Sequence, residues 1–581
     1  MVKTLRLALA QINPTVGSIK RNSEKIISFI EDARRHSADI VAFPELCITG
    51  YPPEDLLLKP SFLKDNIKAL DEIKRHTNDI TAVVGFADKQ DDIYNAAALL
   101  YNHQIIDIYH KIFLPNYGVF DELRYFQSGT LSPVYEIAGC LVGLNICEDI
   151  WYPDGPAYKQ SLAGAELIIN INASPYGFNK SKAKDTMLSA RAFDNRIILA
   201  YLNTVGGQDE LVFDGGSTVY DSTGEVLARA GSFTEELIVV DLDMEGVFVS
   251  RLHDPRRRQK VKALCHNECH NEIKRVFVCD RAPGEKSPLK LIKRMPVRQM
   301  DRYEEIYNAL VLGTRDYVTK NGFKSVVIGL SGGIDSSIVA CIAVDAIGPE
   351  NVRGIFMPSP YTSQDSREDV CELSENLKIR TTEIPIAGIF STYLGELTAA
   401  FDGKAADTTE ENLQARIRGN ILMAMSNKFG PLVLTTGNKS EMSAGYATLY
   451  GDMAGGFAVI KDVPKMMVYK LSRWRNSVAA VIPERVLTKA PTAELRPNQK
   501  DSDSLPPYEI LDIIIESYVE KEMGLEEITA LGIDELTVRK ALSLIDGSEY
   551  KRRQSPPGIK ITGRAFGKDR RFPITNGYRG F

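Results

Sequence analysis

The stretch that most restricts the fold is Val326–Ser337, VVIGLSGGIDSS. An apolar, β-branched run stops at a glycine, passes through Ser-Gly-Gly-Ile-Asp-Ser, and continues into a helix-compatible segment through Ala346. That is the pattern of a buried strand, a tight turn and a helix N-terminus. Gly332 and Gly333 lack Cβ atoms, so backbone N–H groups can close on an anion at the positive helix end, and Ser331, Ser336 and Ser337 add hydroxyl donors. Such a cradle suits a pyrophosphate. No lysine follows the glycines, so this is not the nucleotide loop that ends in Gly-Lys-Ser/Thr. Asp335 stands there instead, and a carboxylate beside phosphates needs a cation between them, which makes Asp335 a candidate Mg²⁺ ligand. On the two glycines alone, a plain strand-to-helix turn remains the alternative.

At 581 residues the chain exceeds one core and implies roughly three to four domains or two large ones. A net charge of -6 argues against a general nucleic-acid binder, and no apolar run approaches the ~20 residues of a membrane span. The N-terminal MVKTLRLALAQINPTVG reads as a first strand, without the cleavage pattern of a leader. Eight cysteines lie scattered in apolar surroundings, which fits reduced thiols and a cytoplasmic protein.

Residues 1–245 alternate strand-like and helix-like segments. Leu5–Ile12, Ile40–Phe43, Ala82–Phe86, Ala96–Leu100, Gln104–Tyr109, Leu141–Ile146, Leu167–Ile171 and Ile197–Leu202 read as strands; Ser23–His36, Phe62–His76 and Lys182–Arg191 have helical spacing. Pairs of strands between single helices predict an α/β domain with two sheets faced by helices, a layered αββα arrangement. Three polar signals end its strands: Glu45 in Phe43-Pro44-Glu45, Lys111 in His110-Lys111-Ile112, and Cys147 in Asn145-Ile146-Cys147-Glu148-Asp149. Singly they read as a loop acid, a solvated lysine and a small buried hydrophobe. In this order and context they resemble the Glu-Lys-Cys triad of the nitrilase, or carbon–nitrogen hydrolase, superfamily, over about residues 4 to 245.

An amide is a weak electrophile, so its hydrolysis needs a thiolate, a base to form it and a donor for the oxyanion. The resemblance assigns these parts to Cys147, Glu45 and Lys111, with the Glu148 N–H as a further oxyanion donor. Glu122 resembles the additional family glutamate that supports the triad, and is otherwise a surface acid. Likeness to the glutamine-hydrolysing branch implies that Tyr117, Glu148, Ser174 and Lys180 hold L-glutamine.

Residues 246–298 read as a basic, turn-rich connector with Arg256-Arg257-Arg258 and a cluster from Cys265 to His270. The cluster's spacing fits no zinc finger, so a metal there is not expected. From 299 to 581 strand-helix-strand repetition predicts a doubly wound parallel sheet, with its ligand at the carboxyl ends of the strands. Gly329-Leu330-Ser331-Gly332-Gly333-Ile334-Asp335-Ser336 resembles the signature of the ATP-pyrophosphatase family, which adenylylates an oxygen and releases pyrophosphate. Four later segments narrow the likeness: Glu411–Arg418, which places Asn412 and Arg416 on one helix face, Thr435-Thr436-Gly437-Asn438-Lys439-Ser440-Glu441, Lys489–Leu495, and Tyr550-Lys551. Together they resemble NAD synthetases.

That resemblance implies Asp335 and Glu441 as Mg²⁺ ligands, the loop residues 329–336 with Thr436, Lys470 and Thr492 as contacts to ATP, and Asn412, Arg416, Glu441 and Lys551 as contacts to deamido-NAD. Leu449 and Tyr550 depart from the family pattern at positions where the resemblance implies substrate contacts. Residues 498–510 read as a loop able to close over the adenylate, and the tail after Pro556-Pro557 as polar with no clear structure. The joined halves imply an ATP-dependent carbon–nitrogen ligase that draws ammonia from glutamine, with small-molecule substrates, no nucleic-acid or membrane partner, and a homo-oligomeric assembly. A related ligase acting on another carboxylate, or an amidase carrying a nucleotide-sensing module, are the rival readings.

Overall fold

The computed structural model describes residues 4–264, 273–279, 300–497 and 499–578; the Cys265–His270 cluster lies outside them. The chain forms two compact units, Met1–Gln208 with Val212–Gln299, and Asp209–Leu211 with Met300–Phe581.

The strands of the first unit are β1 (Thr4–Gln11), β2 (Ile40–Ala42), β3 (Thr81–Lys89), β4 (Ile93–Tyr101), β5 (Gln104–His110), β6 (Val134–Ile137), β7 (Cys140–Ile146) and β8 (Leu167–Asn172). They continue with β9 (Ile198–Asn203), β10 (Val205–Gln208), β11 (Leu211–Asp214), β12 (Thr218–Tyr220), β13 (Val226–Arg229), β14 (Glu236–Asp243) and β15 (Arg275–Cys279). Its helices are α1 (Ile19–Arg35), α2 (Pro60–Ile73), α3 (Pro156–Leu162), α4 (Lys180–Asn195), α5 (Met244–Leu252) and α6 (Pro255–Leu264). One sheet runs β14-β1-β2-β3-β4-β5 and another β13-β12-β9-β8-β7-β6-β15.

Period-two patterning explains the layers. In β1, Leu5, Leu7 and Leu9 join a core shared with Leu144, Ile169 and Ala200 of the second sheet, while Ala8 and Ala10 point the other way, onto Ile26, Ile30 and Ala33 of α1 and Leu70 and Ile73 of α2. On the far side Ile168 and Leu199 meet Ala157 of α3 and Leu188 and Ala192 of α4. The order is helices, sheet, sheet, helices, as expected.

The stretch after Asp243 differs from the expected turn-rich connector. α5 and α6 form there, and β15 adds a parallel edge strand to β6. Its RVFVC run is short and its flanks are polar, so the sequence period is weak; burial of Val278 and Cys279 in the sandwich core supplies what the period lacked. The basic residues are not idle surface charge. Arg251 donates to the Gly164 carbonyl at 3.1 Å and Arg257 to the Ser161 carbonyl at 2.9 Å, satisfying carbonyls at and just beyond the end of α3.

The second unit is built on β16 (Val326–Leu330), β17 (Val352–Phe356), β18 (Arg380–Glu383), β19 (Leu432–Thr435) and β20 (Phe457–Ala458), all parallel in the order β18-β17-β16-β19-β20. Around them lie α7 (Arg302–Lys320), α8 (Ile334–Ile347), α9 (Gln364–Leu377), α10 (Ala387–Leu397), α11 (Thr408–Phe429), α12 (Lys439–Ala444), α13 (Lys465–Val478) and α14 (Glu484–Thr488). Strand order reverses between β16 and β19, so the crevice at their carboxyl ends is where this fold takes a ligand. Helices α15 (Tyr508–Ile515), α16 (Leu525–Thr529), α17 (Glu535–Gly547) and α18 (Glu549–Arg552) follow; the first three form a further apolar cluster with Phe566.

The tail after Pro557, expected to lack structure, is anchored. Ile559 and Ile561 are buried, and the fully buried Lys439 ammonium donates to Thr562 Oγ1 at 2.7 Å and to the Arg564 carbonyl at 3.0 Å. The apolar alternation there spans too few residues to be read without its partners. Among the described residues no helix is long and apolar enough to cross a membrane.

Candidate active sites

In the first unit the three expected residues follow strands that are not neighbours, β2 and β5 of one sheet and β7 of the other. Glu45 follows β2, Lys111 follows β5 and Cys147 follows β7. Lys111 Nζ donates to Glu45 Oε1 at 2.7 Å and to Glu122 Oε1 at 2.9 Å, and all three side chains are buried. Glu122 therefore belongs to the site rather than to the surface. Burial alone would lower the Lys111 pKa, yet Glu122 and Glu45 together hold it well above the ordinary lysine value. Burial pushes the Glu122 carboxyl up to about 7 against the pull of Lys111. The Cys147 thiol is raised well above its usual range by burial and then by Glu45, with Lys111 opposing, so it holds its proton until a base removes it. Cys147 also carries φ +45° where β7 turns into the 3-10 helix Cys147–Ile150, a strained conformation of the kind that surrounding structure must impose.

Three further groups complete this cluster. Asn95 Nδ2 donates to Glu45 Oε1 at 2.7 Å, the Ala173 N–H to Glu45 Oε2 at 2.8 Å, and the Tyr51 hydroxyl to Glu122 Oε1 at 2.9 Å. Only Asn95 left a trace in the sequence, as a lone amide opening the apolar run AAALL. The expected glutamine contacts form two pairs. Tyr117, 59% exposed, donates from its hydroxyl to Glu148 Oε2 at 3.0 Å, and Lys180 Nζ donates to Ser174 Oγ at 3.0 Å.

In the second unit the Ser-Gly-Gly turn opens a cleft of about 180 Å³ lined by Ser331, Gly332, Gly333, Asp335, Glu441 and Lys465, among others. Gly332 has φ +75°, and a Cβ there would lie 2.6 Å from the Ser366 carbonyl oxygen, so the turn needs glycine. Ser331 faces the cleft, whereas the Ser336 and Ser337 hydroxyls turn back to donate to the Gly333 carbonyl at 3.1 and 2.8 Å. Asn438 Nδ2 donates to Asp335 Oδ1 at 3.0 Å and caps α12, whose first turn holds Glu441. The ammonium of Lys465 binds Asp335 Oδ2 and reaches Glu441 Oε1 at 3.3 Å.

Thr492 lines the cleft, and the segment carrying it is clamped to the start of α9, against which Gly332 packs: Glu494 accepts from Ser363 at 2.8 Å and Ser366 at 2.9 Å, and from the nearby Lys489 at 3.2 Å. Within 498–510, Asp501 is buried at the cleft and accepts from Tyr508 at 2.9 Å. Lys470 is exposed and lies outside the cleft lining. It stands five residues after Lys465, about 140° round the helix, so the two lysines cannot share a face. Thr436 is half-buried at the end of β19, outside that lining.

The residues expected for the dinucleotide do not converge on one cleft. Glu441 lines the phosphate-side cleft, and Arg416 lines another of about 700 Å³ with Tyr450, Arg553 and Gln554. Asn412 Oδ1 accepts from Thr448 at 2.7 Å, and Lys551 donates to the Gly445 and Ala447 carbonyls at 2.7 and 2.9 Å. Both therefore pin the chain that leads into the 450–455 stretch, which contributes residues to the two clefts. Tyr550 is exposed, and the Leu449 carbonyl accepts from Arg416 Nε at 3.3 Å.

Burial pushes the Glu441 carboxyl up to about 8, with Lys465 opposing and Asp335 adding to the rise. A carboxyl raised on folding stabilises the fold below its ordinary value of 4.5, and this contribution is lost as pH climbs to about 8. Glu441→Gln should therefore flatten part of the decline in melting temperature between those limits, measured without divalent cations. Because Glu122 titrates in the same window, the difference between variant and wild type is the readout.

The two sites define the class of protein: a cysteine amidohydrolase unit joined to an adenylylating ligase unit. The sequence matches the carbon–nitrogen hydrolase family over residues 6–249 and the NAD synthase family over residues 306–555. It is 51% identical to the glutamine-dependent NAD(+) synthetase of Thermotoga maritima over the whole of both chains, and 50% identical to that of Aquifex aeolicus over 98% of this chain and 99% of the other. A solved structure of the glutamine-dependent NAD+ synthetase from Acinetobacter baumannii, in complex with ADP, is 40% identical over all of both chains with a TM-score of 0.74. The chain belongs to the glutamine-dependent NAD(+) synthetase family, enzymes that make NAD(+) with glutamine as the nitrogen donor.

Proposed function

We propose that each unit carries one half of the reaction through the side chains described above. Cys147 Sγ attacks the carboxamide carbon of glutamine as Glu45 takes the thiol proton, and Lys111 with the Glu148 N–H holds the oxyanion. Collapse breaks the C–N bond, and the proton held by Glu45 leaves with ammonia. Water, deprotonated by Glu45, then cleaves the thioester to glutamate. Tyr117 and Glu148 take the α-amino end of glutamine, with Ser174 and Lys180 beside them. Glu122 keeps Lys111 charged.

In the second unit the nicotinate carboxylate of deamido-NAD attacks the α-phosphorus of ATP. The bond to pyrophosphate breaks, and the leaving group is received by the Ser331–Gly333 turn and the start of α8. Ammonia attacks the resulting acyl adenylate, giving NAD and AMP. Thr492 lies against ATP, and Arg416 meets the dinucleotide in its own cleft. Asp335 and Glu441 would hold Mg²⁺, which when bound neutralises phosphate charge. Their donor set fits, since both are hard oxygen ligands already converging on one cation, the Lys465 ammonium. Among the described residues no three acidic, Cys or His side chains close on one metal position; the remaining ligands would be phosphate oxygens and water. Exposed Ile389 and Tyr393 on α10 and Met423 on α11, which also line the Arg416 cleft, support a homo-oligomer, and the substrate set supports a cytoplasmic location.

The observation that carries the ligase half is the meeting of Asp335, Glu441 and Lys465 beside the diglycine turn. It supports Lys465, rather than the expected Lys470, as the phosphate-facing lysine. Ammonia-supported AMP release should fall about 100-fold in Lys465→Ala and stay within about twofold in Lys470→Ala. The reverse ranking would refute the assignment.

A further inference from the structure

Asp149 is fully buried two residues after Cys147, and all four of its contacts run to backbone or hydroxyl groups beside the triad. Oδ1 accepts from the Ile112 N–H at 3.1 Å and the Phe113 N–H at 2.9 Å, directly after Lys111. Oδ2 accepts from the Tyr109 hydroxyl at 2.7 Å, two residues before Lys111, and from the Ile146 N–H at 3.0 Å, directly before Cys147. One carboxylate thus ties the end of β5 to the end of β7. The two turns share no ladder of their own, since β5 and β7 belong to different sheets.

We infer that Asp149 is a positioning residue for glutamine hydrolysis, fixing the Lys111 turn against the strained Cys147 turn so that nucleophile and oxyanion donor keep their spacing. This rests on the triad reading above. The need for it follows from the backbone: Cys147 is held at φ +45°, and such a conformation relaxes unless its neighbours over-determine it. A carboxylate suits the task because every partner is a donor. An amide does not fit in either orientation. With its NH₂ toward Ile112 and Phe113 it faces two N–H groups; with its NH₂ toward the other side, the Tyr109 hydroxyl can turn to accept but the Ile146 N–H, next to Cys147, loses its partner. Burial also raises the Asp149 carboxyl to about 6, with the Phe113 N–H and Tyr109 opposing, so it is ionised at neutral pH.

The test compares Asp149→Asn, Tyr109→Phe and Cys147→Ala in the full chain, following steady-state glutaminase kinetics with ammonia-supported NAD formation as the internal control. A displaced nucleophile lowers turnover without touching the groups that bind glutamine. Asp149→Asn should lower glutaminase kcat by at least about 30-fold with KM within about threefold, and Tyr109→Phe should lower it about threefold. Ammonia-supported synthesis should stay within about twofold in both. Unchanged kcat, a KM that rises as far as kcat falls, or a parallel loss of the ammonia reaction would each overturn the assignment. If Asp149→Asn does not fold, Tyr109→Phe decides alone on the same criteria. Retained glutaminase in Cys147→Ala would instead refute the triad reading on which the inference rests.

Discussion

Cys147→Ala is expected to lower glutamine-supported NAD formation by more than about 10³-fold while ammonia-supported formation stays within about twofold. The size follows from the chemistry. Without Sγ there is no thioester, and no other described thiol is placed to replace it: the Cys47 thiol is turned to the Gly85 carbonyl, Cys140 and Cys279 lie at the end of the sheet opposite Cys147, and Cys341 and Cys371 belong to the second unit. Substitution by alanine leaves the Lys111–Glu45–Glu122 cluster intact, because none of its hydrogen bonds uses the sulfur. The ammonia reaction should survive, since every group proposed for adenylylation lies in the other unit. A fall in both reactions would mean that Cys147 does not act as a separable nitrogen source.

Asp335→Asn should remove AMP formation by more than about 10³-fold with either nitrogen source. The substituted amide keeps the shape and the Asn438 contact on one side, but it deletes the charge that offsets Lys465 and that would hold the metal on the phosphates. Glutaminase turnover should persist. Lys465 would then keep only Glu441 as a charged partner, so its ammonium is drawn further toward that carboxylate. Turnover to AMP at an unchanged rate would contradict the metal role.

The layered first unit and the parallel sheet of the second were legible because their central strands are apolar and bounded by turn residues. The triad was legible for a related reason: polar residues that follow buried strands come together at the strand ends of the two packed sheets. What the triad rests on was not legible. Tyr51, Asn95 and the Ala173 N–H reach Glu45 and Glu122 across 71, 50 and 128 residues of sequence, and no local pattern encodes such pairs. Lys465 and Lys470 share one helical segment, and only its packing against Asp335 and Glu441 tells which lysine faces the cleft. β15 and the anchored tail were missed for want of length: each is a few alternating residues that gain their order from burial. Arg416 and Glu441, both expected at the dinucleotide, line two different clefts, a separation that spacing along the chain does not reveal.

The central claim is that Cys147 supplies the nitrogen used at the Asp335 site. It is tested most directly by treating the full chain with an electrophilic glutamine analogue, a γ-diazoketone, and locating the adduct by mass spectrometry while both nitrogen sources are assayed. The adduct should appear on Cys147 and not on the exposed Cys371, with glutamine-supported NAD formation abolished and ammonia-supported formation intact. An adduct on another cysteine accompanying the loss of glutamine use, or loss of both activities with Cys147 alone modified, would contradict it.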